Sequence, residues 1–176
     1  MSTAAPYPSA VAIFSFAVTV LTWSSVQAAE TDYMERFRGY WSGFGRVHRE
    51  GASQPRHVTC SVTGSLAEGR ISAHGTCRAY LIFTRQIGVD LVYDARSGTY
   101  RGTYTGSRIG PVRLTGRRSS DDVNLRIEWP RQVNGDNQAA MVIRNDGRGT
   151  LRIRISDNLI PGGSIQQTSE IILSRR

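Results

Sequence analysis

From Gly39 onward apolar and polar positions alternate with a period of two, the signature of strands whose side chains point to opposite faces of a sheet. In the stretch GYWSGFGRV, Trp41 and Val47 share one face with Gly39, Gly43 and Gly45, and Tyr40 and its alternates take the other. Glycines on that face let the strand coil sharply and let a second backbone approach, while the indole supplies one large apolar plug. Residues 57–63 place Val58, Cys60 and Val62 on one face. The run from Ile71 to Phe83 then keeps Ala73, Gly75, Cys77, Ala79 and Leu81 in phase, which predicts one continuous strand. Further alternating runs carry Val89, Leu91 and Tyr93, then Tyr100, Gly102 and Tyr104, then Val112 and Leu114. Val123, Leu125, Ile127 and Trp129 follow, and Leu151, Ile153 and Ile155 precede a last strand over residues 166–174.

Between these runs stand turn formers such as Ser119-Ser120-Asp121-Asp122, Asn134-Gly135-Asp136 and Asn145-Asp146-Gly147. Their spacing of roughly ten residues predicts an all-β fold, an antiparallel up-and-down β-barrel of about 8–10 strands or else a sandwich, of which the barrel is the leading expectation. Ahead of it, residues 30–37 (ETDYMERF) put Tyr33, Met34 and Phe37 at helical spacing, a short helical turn placed to cap one barrel end. No composition shift or repeat divides residues 30–176, so a single barrel domain is expected there.

The apolar run 10–23 (AVAIFSFAVTVLTW), followed by Ser24-Ser25-Val26-Gln27-Ala28-Ala29, resembles a secretory signal with small residues at its cleavage site, although residues 1–9 hold no basic side chain. Residues 1–29 are therefore expected to be a removed signal peptide, and the remainder periplasmic or secreted. Export changes the reading of the two cysteines, since an even number in an oxidising compartment favours a disulfide. Cys60 and Cys77 fall on apolar faces of runs joined by a short connection, so a cross-strand Cys60–Cys77 bond is expected.

Charge changes the picture again. Every one of the 22 residues counted as Lys+Arg is arginine, against 14 acidic ones, for a formal net charge of +8. Guanidinium forks suit anionic partners, and Arg113, Arg117, Arg126, Arg152 and Arg154 stand on outward phases where they could meet anionic lipid, polysaccharide or an acidic protein. Nucleic acid is not an expected partner outside the cytoplasm. Outward faces such as Asn124/Arg126/Glu128 are too polar for lipid contact, so a membrane-spanning barrel is not expected.

The sequence carries no nucleophile elbow, zinc-protease motif or phosphate-binding loop, and Asp121-Asp122 is explained by its turn. Two cysteines are too few for a structural zinc site. No catalytic, metal or cofactor constellation is expected.

The motif G-x-W-x-G-x-G, here Gly39, Trp41, Gly43 and Gly45, resembles the opening strand of the calycin group, which includes lipocalins and nitrobindin-like proteins. The resemblance implies a barrel whose cavity holds a small apolar or lipidic ligand, or haem in the nitrobindin-like branch. That branch takes its axial histidine from a late strand. The last strand here contains none, and the three histidines, His48, His57 and His74, are early and sit opposite the apolar faces of their strands. Trp41, Tyr93, Trp129 and Met141 are the candidate cavity residues.

Overall fold

The computed structural model describes residues 22–48, 54–80 and 82–176, with the side chains of 22–26 left aside. The chain forms one helix, α1 (Thr22–Glu35), followed by ten strands: β1 (Gly39–Val47), β2 (Arg56–Ala67), β3 (Arg70–Ala79), β4 (Phe83–Asp94), β5 (Thr99–Thr105), β6 (Val112–Ser119), β7 (Asp122–Val133), β8 (Asp136–Asn145), β9 (Thr150–Asp157) and β10 (Gln166–Arg175). Each strand pairs antiparallel with the next, and β10 returns to β1 to close the barrel. Closure removes the exposed edges that an open sheet of this size would present.

Alternation sets the inside. Trp41, Val62, Ile71, Leu91, Tyr100, Leu114, Ile127, Met141, Leu151 and Leu173 are all buried in the interior, and their sequence neighbours face out. The inward glycines of β1 do what close approach requires. A Cβ on Gly45 would fall 2.5 Å from the Glu170 carbonyl oxygen on β10, so only a glycine lets that seam close at the observed distance.

Two sequence expectations are modified, and two others fall wholly or largely outside the described residues. The helix starts earlier and ends earlier than the expected 30–37 span; Arg36 and Phe37 lie in the turn after it, though Tyr33, Met34 and Phe37 are buried at the barrel end as expected. The run from Ile71 to Phe83 is not one strand. Tyr80 takes a left-handed φ of 47°, the chain reverses, and Phe83 opens β4 with its side chain mainly exposed. Leu81, expected on the inner face, lies outside the described residues, as does most of the expected 1–29 leader; its last part, from Thr22, belongs to α1.

Cys60 and Cys77 lie directly opposite one another across the β2–β3 ladder, both buried, and are joined by a disulfide. The bond closes a loop with a sequence separation of 17. Replacing both cysteines with alanine is expected to lower unfolding stability by about 3 kcal/mol, because it releases the unfolded chain from that constraint. Urea denaturation measures this, and an unchanged midpoint would show that the constraint does not act on the unfolded state.

Candidate functional site

The two ends of the barrel are built differently, and the difference starts with α1. Its last turn leads straight into β1, so Tyr33, Met34 and Phe37 are driven into the end of the barrel where β1 begins. The polar groups around Glu30 are paired there, while Asp122 Oδ1 at the start of β7 is buried without a hydrogen-bond partner. Glu30, 5% exposed, receives Arg118 Nε at 2.9 and 3.0 Å on its two oxygens and Nη2 at 2.8 Å, and also accepts from the Tyr100 hydroxyl. The Arg118 guanidinium lies 4.7 Å over the Tyr33 ring, and Tyr33 Oη donates to the Asp121 carbonyl at 3.0 Å. Burial, and for Tyr100 the adjacent Glu30 as well, pushes both phenols well above the ordinary tyrosine range, so they remain neutral donors. Trp41 Nε1 donates to the Phe37 carbonyl at 3.0 Å, and Asn145 Nδ2 to the Arg36 carbonyl at 2.9 Å. This end is a plug.

The opposite end is open. A cavity of about 550 Å³ is bounded by the last residues of β1, β3, β5, β7 and β9, the first of β2, β4 and β10, and the loops between them. Its floor is Ile87, Tyr104, Ile155 and Ile171, and these four also line a narrower void of about 50 Å³ that continues inward to Phe37, Met141 and Leu151. The Cys60–Cys77 bridge forms part of the wall through Cys77.

Above the apolar floor the lining turns cationic. Arg56, Arg85, Arg108 and Arg131 surround the mouth. Arg56 and Arg85 are there by parity, in phase with Val58 and Cys60 on β2 and with Ile87 and Val89 on β4. Arg85 Nη1 also reaches the Gly106 and Ser107 carbonyls, at 3.5 and 3.4 Å, tying the β5–β6 loop to the rim. The one buried carboxyl in the lining, Asp157, accepts from Trp129 Nε1 at 3.1 Å and from the Asn158 backbone at 2.7 Å. Burial pushes its pKa above the ordinary value against the pull of those bonds, with Asp136 adding to the rise.

Of the four candidate cavity residues, Trp129 lines the open cavity and Met141 the inner void. Trp41 is fully buried within the plug, and Tyr93 packs on Tyr100 with ring centroids 5.2 Å apart, toward the same end. The five candidate surface arginines lie along β6, β7 and β9, where Arg113 meets Glu128 at 3.1 Å and Arg152 approaches Glu170 at 3.8 Å. His48 departs from expectation: just past β1 the alternation lapses, and the ring joins the lining of the mouth. His74 stays outside, 3.0 Å from Asp90 Oδ2, which also accepts from Ser72 at 2.6 Å through its other oxygen. The serine there bonds the aspartate and not the histidine, so the trio lacks the order of a nucleophile and its base. Among the described residues no three His, Cys, Asp or Glu side chains converge on a metal-sized site, and no helix is long and apolar enough to cross a membrane.

No family model matches the chain, and no curated protein does. Among solved structures it is similar to the crystal structure of Rv2717c from M. tuberculosis, with a TM-score of 0.64 and 14% identity over 84% of this chain and 97% of that one. At that identity the likeness is one of fold, a closed β-barrel.

Proposed function

We propose that the chain is an exported, non-catalytic β-barrel of calycin type that holds a small apolar or lipidic ligand. The observation that carries this reading is the open cavity with its continuous floor of Ile87, Tyr104, Ile155 and Ile171. Its volume falls within the roughly 300–1,000 Å³ of small-molecule sites, and such sites are mostly apolar with a few placed polar groups. Here those polar groups are chiefly guanidinium groups at the mouth, so the ligand that fits best is an amphiphile with an apolar body and an anionic end. The glycine-tryptophan motif of β1 and the disulfide support the calycin and export parts of the reading.

Titrating the protein with a dansyl-labelled fatty acid is expected to give saturable enhancement of dansyl emission. Ile155→Trp, which fills the passage between the cavity and the inner void, should weaken binding by roughly tenfold or more, equivalent to at least about 1.4 kcal/mol. Ala79→Phe, at the wider mouth, serves where the floor does not tolerate an indole. Unaltered binding by both folded variants would place the probe elsewhere and remove the cavity as the site.

A further inference from the structure

We propose that the open end of the barrel docks on an anionic phospholipid bilayer, with the β3–β4 and β9–β10 loops as its two points of insertion. Both loops stand at the mouth because β3 and β9 both run away from the plugged end. Their tips are apolar and turned to solvent: Tyr80 is 70% exposed, Ile82 79%, Ile160 65% and Ile165 73%. Apolar pairs on two separate loops do not make the flat continuous patch of a protein interface. Around the ring the loops are separated by β1 and β2, so they form two feet on a broad base rather than one ridge.

The charge between and beside these feet is positive. Arg56, at the start of β2, lies between them, with its guanidinium 5.8 Å over the Tyr80 ring. Arg78, Arg85, Arg108 and Arg131 stand at the same end. The described acidic side chains toward the mouth are Asp136, the buried Asp157, Glu128, which is occupied by Arg113, and Glu170, which stands between Arg46 and Arg152. Apolar tips backed by arginines match the two layers that a protein meets at an anionic bilayer, acyl boundary and phosphate. A guanidinium takes phosphate oxygens in pairs, which suits that layer better than a lysine would. Docked this way, the cavity mouth faces the lipid. The insertion tips Tyr80, Ile82, Ile160 and Ile165 stand outside the cavity lining, although the arginines at the mouth belong to it, so the test on the tips is separable from that of ligand binding.

Co-sedimentation with vesicles of phosphatidylcholine alone and of phosphatidylcholine with phosphatidylglycerol is the experiment. The protein is expected to pellet with the anionic vesicles and to be released as salt is raised from about 0.1 to about 1 M. Ile82→Ser combined with Ile165→Ser should lower the partition coefficient roughly tenfold while dansyl fatty acid binding is kept. Arg126→Gln combined with Arg154→Gln, on the barrel wall, should leave partition unchanged. An apolar leader retained at the N-terminus is common to all variants and cancels in these comparisons. Equal binding to neutral vesicles, full binding by the Ile82/Ile165 variant, or loss of binding by the wall variant would each overturn the proposal. So would a concentration-dependent dimer abolished by the Ile82/Ile165 substitutions, since the tips would then belong to a second copy of the chain.

Discussion

Arg118→Leu is expected to lower the melting temperature by about 6–20 °C, corresponding to roughly 3–5 kcal/mol at about 2–4 °C per kcal/mol for a chain of this size. The size of the effect follows from what stays behind. Glu30 is 5% exposed and meets three Arg118 contacts of 2.8–3.0 Å, so the leucine variant leaves a buried carboxylate with the Tyr100 hydroxyl as its remaining side-chain donor. The carboxylate in turn holds Arg118 still more firmly protonated than usual. Removing both charges should cost less than removing one, because a neutral amide in place of Glu30 has no comparable desolvation penalty. A thermal double-mutant cycle with Glu30→Gln reads this directly. If Arg118→Leu costs under about 1 kcal/mol, or the two substitutions add without coupling, the pair is a solvated surface contact and the plug is held by apolar packing alone.

Gly64→Ala should be among the most damaging single-methyl additions at the described glycines. Gly64 lies on the inner face of β2 beneath the link from α1 to β1, and its added Cβ would land on the Phe37 carbonyl oxygen, 3.5 Å from Trp41 Nε1. That oxygen is the acceptor of the Trp41 indole, so moving it breaks the hydrogen bond of a fully buried ring. Overpacking of about 1–3 kcal/mol and an unsatisfied buried donor of similar cost give an expected loss of roughly 2–5 kcal/mol. Gly69→Ala, in the next turn, is the comparison. Its φ is +71° but no atom lies within 4 Å of the new Cβ, so the cost is conformational, roughly 1–2 kcal/mol. Chemical denaturation of the two variants side by side decides the matter; equal losses would mean that the chain above Gly64 yields without cost.

Much of the barrel was legible because alternation is a local property. The faces of Val123 to Trp129, the opposition of Cys60 and Cys77, and the burial of Tyr33 and Phe37 all follow from counting by two or by three and four. The β3–β4 break was not legible, since Ala79-Tyr80-Leu81 has none of the glycine, asparagine or aspartate that usually marks a left-handed turn. Alternation also fixes which way a side chain points without fixing its depth along the barrel. Trp41, Tyr93, Trp129 and Met141 all face inward, yet only Trp129 reaches the open cavity, because depth comes from the stagger of neighbouring strands. The inward arginines were present in the pattern and easily passed over. Arg118 continues the phase of Val112, Leu114 and Gly116, and Arg56 and Arg85 continue theirs, but a charge invites an outward assignment unless parity is allowed to overrule it. For Arg118 the partner that makes the interior tolerable stands 88 residues away in sequence.

Nine of the ten barrel seams join strands that are consecutive in the chain, and one, β1 with β10, joins the first to the last. The consecutive seams need only short loops to close, so each hairpin gains its contacts soon after its two strands exist. The remaining seam carries most of the long-range loop-closure entropy of the fold, and it is the seam where Gly43 and Gly45 leave room for the β10 backbone. The bare face of β1 thus matters for assembly as well as for shape: it is the docking strip for the strand made last of the ten.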